Sequence, residues 1–302
     1  MRVFGPLPGV LSGPDSFQTT AVLVAGIGLG PWFWDRWLPA FHAAGIRTLC
    51  LTLPGHEPEG APDGDLPAAV AAVTAAVAAF VAEEKAEAPV LIGHSLGALV
   101  VMLAAQTLPA KGVVAICPLI PGKTPRLPDL SALKDAPRLL TQLLRGQPLA
   151  IRPETYRKTG FSEVDDATAA ESLPRMRPWP PRLTRSLLRP PAVPAGSMKA
   201  PLALFLGKKD PLVRWQDARV LGDLHEGVVW RYDDLGHSPT LEPGGERMCA
   251  DLVSWVKDPV RPRIIEFEAF GPGEGVGTDV RTQRRGDARK KRSAYGQKRS
   301  AR

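Results

Sequence analysis

Three short stretches of this chain place a chemically capable group directly after a run of apolar residues. The first, Gly93-His94-Ser95-Leu96-Gly97, follows Val90 to Ile92 and precedes the helix-forming run Ala98 to Ala105. A serine hydroxyl is a weak nucleophile at neutral pH, so it must be exposed and must have a base within reach. Glycines two residues to either side permit a tight strand-to-helix turn that lifts Ser95 above the strand ends. The second stretch, Gly207-Lys208-Lys209-Asp210-Pro211, follows Leu202 to Leu206, and the third, Gly236-His237-Ser238-Pro239, follows Val228 to Tyr232. Serine, imidazole and carboxylate are the parts of nucleophilic acyl transfer. His237 would take the Ser95 proton, and Asp210 would hold the other ring nitrogen and stabilise the imidazolium.

Each assignment has a rival in the sequence. Asp233 and Asp234 are alternative carboxylates, but three and four residues before His237 the backbone makes it hard for them to face its ring. His225 is the alternative base, yet it falls between a helix and the next strand and not at a strand's carboxyl end. His56 reads as a loop residue and His94 as a neighbour of the nucleophile. Asp210 could also cap a helix.

These groups need a scaffold that brings strand ends together. Thr20 to Ala25, Arg47 to Leu53, Val90 to Ile92, Val113 to Cys117, Leu202 to Leu206 and Val228 to Tyr232 are short, mostly apolar runs, as buried parallel strands are. Helical stretches separate them: Trp32 to Ala44, Leu66 to Lys85, Leu96 to Leu108, Trp215 to Leu221 and Gly245 to Val256. The alternation predicts an α/β fold, a mostly parallel sheet with helices on both faces, whose ligands bind beyond the carboxyl ends of the strands. It breaks between Pro118 and Pro201, a stretch of 84 residues holding 15 of the 32 prolines, where short helices joined by loops are expected. The predicted organisation is an N-terminal segment 1–18, a core of 19–117 and 201–257, a Pro-rich cap inserted at 118–200, and a basic, disordered tail at 258–302. Tyr156, Phe161, Met176 and Trp179 are the cap's candidate pocket lining. Of Trp32, Trp34 and Trp37, spread around a helix, at least one should be buried.

Ala25-Gly26-Ile27-Gly28, Leu53-Pro54-Gly55-His56, the turn at Ser95, Asp210 and His237 succeed one another over residues 19 to 257. In this they resemble the α/β-hydrolase superfamily, particularly its capped esterase and lysophospholipase-like members. The resemblance implies an oxyanion hole made by the backbone N–H groups of Ile27 and Leu96, with no metal and no organic cofactor. It implies a serine hydrolase that cleaves a carboxylic ester of a small or medium apolar acyl group through an acyl-enzyme. A thioesterase or a carbon–carbon bond hydrolase would use the same groups, and a non-catalytic ligand binder is the reading from another class. Ala25 departs from the histidine usual there, and the short N-terminus leaves little room for the family's first two strands.

The net charge of +7 is a property of one end of the chain. Val280 to Arg302 holds ten basic residues and one acidic, which leaves 28 basic and 30 acidic in residues 1 to 279. The near-neutral body argues against nucleic acid as its main ligand, while the tail could contact an acidic surface or nucleic acid. Three scattered cysteines in apolar surroundings fit a reducing compartment, and glycines and prolines interrupt any leader in the first 20 residues. A cytoplasmic location is expected. Leu66 to Ala82 reads as a buried or half-buried helix too short for a membrane span, and the partner as a small-molecule ester or thioester.

Overall fold

The computed structural model describes residues 1–56, 64–124, 130–260 and 266–268; at 130–134 and 266–268 only the backbone is described. Nine strands form one sheet: β1 (Arg2–Phe4), β2 (Leu7–Ser12), β3 (Thr19–Val24), β4 (Ile46–Leu51), β5 (Val90–His94), β6 (Gly112–Ile116), β7 (Leu202–Gly207), β8 (Val228–Tyr232) and β9 (Glu266–Glu268). Their spatial order is β1-β2-β4-β3-β5-β6-β7-β8-β9, parallel from β4 to β9, with β1 and β2 antiparallel at one edge. β5, β6 and β7 are buried at every position, which explains why their sequences run apolar without alternation. All six strands read from the sequence are present.

After β3 the chain moves outward to β4, then returns to pair β5 on the other side of β3. The order reverses there, so the loops that follow β3 and β5 diverge and leave a crevice between them. Ile27 lies in the first loop and Ser95 in the second.

The helices are α1 (Leu38–Ala43), α2 (Leu66–Glu84), α3 (Leu96–Ala104), α4 (Leu130–Leu144), α5 (Pro153–Lys158), α6 (Asp166–Ser172), α7 (Pro181–Ser186), α8 (Trp215–Leu224) and α9 (Gly245–Lys257). At 19 residues α2 is long and apolar enough to cross a membrane by length and composition alone, contrary to the expectation that it is too short. It lies instead along the body, with Leu66, Ala69, Val73, Ala76, Val77 and Phe80 buried at helical spacing. Asp65 caps its start by accepting from the Ala68 N–H at 3.0 Å.

Three readings from sequence are corrected. The N-terminal segment does hold two strands: Gly5 and Pro6 make the two-residue turn of a hairpin, and Val10 and Leu11 pair with Cys50 and Leu49 of β4. The helix expected at Trp32 to Ala44 is broken into a 3-10 turn at Pro31–Trp34 and the short α1, because Pro39 lacks the N–H a continuous helix would need. In the 118–200 stretch, α5 and α7 are the short helices expected, with proline in the first turn where its missing N–H costs nothing. α4, however, runs 15 residues with Pro137 inside it. β9 falls within the segment read as a tail; apart from it and residues 258–260, that segment lies outside the described residues.

Candidate active site

Ser95 is the one residue between Val90 and Met102 that is not buried. It stands at φ +53, a left-handed conformation that costs a side-chain-bearing residue roughly 1–3 kcal/mol and persists only where its surroundings enforce it. The enforcement is visible. Ser95 donates its N–H to Ile116 O at 3.0 Å, and its carbonyl accepts from Leu119 N at 3.0 Å and Ala98 N at 3.1 Å. The flanking glycines are packing requirements: a Cβ on Gly93 would fall 2.3 Å from Gly97 O, and one on Gly97 would fall 2.1 Å from Val24 O. No larger residue lets strand, turn and helix approach so closely.

Asp210 follows β7 in a turn that its own side chain organises, Oδ1 accepting from Leu212 N at 2.7 Å and Val213 N at 3.0 Å. The loops after β7 and β8 are stitched by Lys208 N to Tyr232 O at 2.8 Å and Lys209 N to Leu235 O at 2.9 Å. This brings Asp210 Oδ2 to 2.8 Å from His237 Nδ1, while His237 Nε2 lies 3.1 Å from Ser95 Oγ. The Asp210 and His237 side chains are 1% and 6% exposed, so water barely competes for the bond between them. Burial alone would lower the imidazole pKa, but the Asp210 carboxylate, by charge and hydrogen bond, carries it above 6.5.

The rivals are placed elsewhere. Asp233 pairs with Arg231 and Lys208, and Asp234 with Arg247. His225 ends α8. His56 is buried and bonds to the Pro54 carbonyl, on the wall of a cavity of about 560 Å³ that also touches Trp32 and Cys50 but none of the three candidate groups.

Leu96 opens α3, so its N–H precedes any intrahelical acceptor. A Cβ on Gly26 would lie 3.1 Å from Ser95 Cβ, so the loop bearing Ile27 runs against the serine. Both candidate donors therefore belong to segments that adjoin Ser95. The 118–200 stretch reaches the same loop: Arg177 N donates to Gly28 O at 2.8 Å, and Tyr156 accepts from Trp179 Nε1 at 2.5 Å beside Gly28. Phe161 packs behind Tyr156, and Met176 is half-buried. Trp34 and Trp37 are core residues, while Trp32 lies under the Arg175 guanidinium.

Two groups escaped the sequence reading. Glu242 is buried, with its carboxylate turned onto the backbone around His237. Cys117 places its thiol with Asp210 and His237, the three ligand atoms lying within 4.8 Å of one another. By donor type they could hold a zinc ion. Yet Asp210 and His237 already bond to each other, and burial followed by the Asp210 charge holds the thiol protonated. The other two cysteines are likewise buried and free.

The sequence model of the Alpha/beta hydrolase family matches residues 21–248. The chain belongs to that family. A curated relative, the probable esterase PIR7A of Oryza sativa subsp. indica, is 38% identical over 95 residues, 32% of this chain and 36% of the relative. The match thus spans about a third of the relative's length. Among solved structures, the monoacylglycerol lipase of Paleococcus ferrophilus superposes with a TM-score of 0.62 at 21% identity, covering 83% of this chain and 98% of that one. An esterase from Exiguobacterium antarcticum gives 0.67 at 15% identity, covering 83% and 96%. At these identities the structures establish the shared fold.

Proposed function

We propose that this family member is a serine hydrolase that cleaves a carboxylic ester, with Ser95 as nucleophile, His237 as general base and Asp210 as its orienting acid. One observation carries the reading: a continuous relay from Asp210 Oδ2 through both His237 nitrogens to Ser95 Oγ, at 2.8 and 3.1 Å. Ser95 Oγ attacks the ester carbonyl as His237 Nε2 takes its proton, and the N–H groups of Leu96 and Ile27 receive the oxyanion. His237 then protonates the leaving alcohol, which departs from an acyl-enzyme. A water deprotonated by His237 attacks that acyl carbon and releases the acid, restoring the serine. The names of the similar proteins, esterases and a lipase, agree with this class. Tyr156 and Trp179, standing over Gly28, favour a small or medium apolar acyl group.

The test combines a fluorophosphonate probe with p-nitrophenyl esters and acyl thioesters of graded chain length. Labelling of Ser95 and turnover of esters above thioesters is the expected result. Preference for thioesters would make the chain a thioesterase, and failure to label Ser95 would overturn the catalytic reading.

A further inference from the structure

The loop that carries His237 runs from Asp233 to Gly244 without helix or strand, so the ring needs something other than a regular element to hold it. Three backbone polar groups surround it, and each has a buried side-chain partner. Glu242, 4% exposed, accepts from Gly236 N through Oε2 at 2.5 Å and from Ser238 N through Oε1 at 2.7 Å. The His237 carbonyl between those two N–H groups accepts from His94 Nε2 at 2.7 Å. That bond fixes the His94 tautomer, and burial keeps the ring neutral.

A bland role for Glu242 does not fit. The first residue before α9 is Gly244, and the carboxylate turns away from that helix towards residues 236 and 238. The nearby ammonium of Lys209 is paired with Glu163. A buried carboxylate is costly unless its charge or its paired acceptors are used. Burial does raise this carboxyl, to about 7, against the pull of the two N–H donors. Here both oxygens are used, on the two peptide groups that bracket the proposed base.

We propose that Glu242 is a positioning residue for His237, pinning the backbone on both sides of it so that the ring meets Ser95 and Asp210 together. The inference rests on the reading of His237 as general base. Its charge has a second effect, since a carboxylate near the ring favours the imidazolium. The ionisable groups facing this corner are His237, His94, Asp210, Cys117, Lys209 and Glu163.

The full-length protein and its Glu242→Gln, Glu242→Asp and His237→Asn variants are compared by the rate constant of fluorophosphonate labelling and by kcat and KM for a p-nitrophenyl ester, from pH 5 to 9. Glutamine keeps the size but turns an NH₂ group towards one of the two N–H donors and removes the charge. Its kcat and labelling rate should fall about 10- to 100-fold with KM nearly unchanged. The acid limb of its profile should move to lower pH by at most about half a unit, because the base loses a neighbouring carboxyl that is itself ionised only in part near pH 7. The fall in kcat at unchanged KM reads the positioning, and the limb reads the charge. Glu242→Asp, charged but one methylene short, should slow labelling with the limb at its wild-type position. If the glutamine variant does not fold, the aspartate variant decides: slow labelling supports the role and wild-type labelling overturns it. Wild-type labelling and an unmoved limb in Glu242→Gln likewise overturn it. His237→Asn separates the two readings, since its wild-type labelling would overturn the choice of base itself, whatever Glu242 does.

Discussion

The sheet and the 118–200 stretch are built from different forces. β3, β5, β6 and β7 are buried almost throughout, each large apolar side chain contributing roughly 1.5–3 kcal/mol. The stretch packs a smaller apolar share, with Leu183, Leu187, Val193 and Met198 joining the main core, and adds directed polar contacts. Asp135 holds Arg152 and Arg138, Arg157 ties the Phe161 and Val164 carbonyls to Asp166, and Arg185 donates to Leu143 O. It is fastened to the body by contacts such as Arg177 N to Gly28 O and Arg36 to Thr168. Asp135 is buried, but exposed pairs such as Arg157 with Asp166 are worth only roughly 0–1 kcal/mol each and can change with little loss of stability. The candidate catalytic groups sit in turns at the carboxyl ends of β5, β7 and β8, tied back to the sheet by hydrogen bonds, while the residues that would select an acyl group belong to the 118–200 stretch.

Changes on the sheet side should therefore act on rate or fold, and changes on the other side on selectivity. The largest effect expected is from Ser95→Ala: no fluorophosphonate labelling and kcat lower by roughly 10⁴ to 10⁶, with circular dichroism unchanged. Labelling of another serine would show the relay to be misread. Asp210→Asn should lower kcat by roughly 10⁴ and shift the acid limb downward, because the carboxylate that raises the His237 pKa is gone. The Asp233→Asn, Asp234→Asn pair should stay within about threefold, since both carboxylates bond to arginines on the surface. Comparing kcat at saturating ester checks this, and the reverse ranking would move the acid. Gly97→Ala tests the scaffold itself. A Cβ so close to the Val24 carbonyl should cost about 4 kcal/mol or more, read by denaturant melting.

Tyr156→Phe is the sharper test of the division. It removes the acceptor of the Trp179 N–H and should cost roughly 1 kcal/mol in stability, changing KM or chain-length preference up to about tenfold with little change in kcat. A thousandfold loss in kcat with KM intact would break the comparison, because the 118–200 stretch would then belong to the reacting centre. Smallest of all, deletion of Val280 to Arg302 should leave kcat/KM for a neutral ester unchanged, since every candidate group lies before it. Loss of activity in a folded truncation would contradict that.

The same division decides what could be read in the sequence. Ser95, Asp210 and His237 were legible because each comes in the loop after a run such as Leu-Ala-Leu-Phe-Leu, and burial on both faces of a sheet leaves little room for any other pattern. Glu242 was not legible, because its partners are backbone N–H groups, which every residue but proline owns. The edge hairpin was hidden behind Gly5, Pro6, Pro8 and Gly9, which read as breakers although two of them make its turn. α4 was missed because a proline count assumes that each proline ends a helix, and Pro137 does not.

The interlocked glycines of the serine turn have a consequence for ancestry. Gly93 and Gly97 answer to packing, since each leaves no room for a methyl group, whereas nothing in the packing asks Ser95 to be serine. A lineage that stopped needing turnover could lose the hydroxyl at no cost to its architecture, but could not lose either glycine. Among descendants of this gene, the glycines would mark shared construction, and the serine, histidine and aspartate would mark continued selection for chemistry. A copy with both glycines and no serine would have kept the fold for another job.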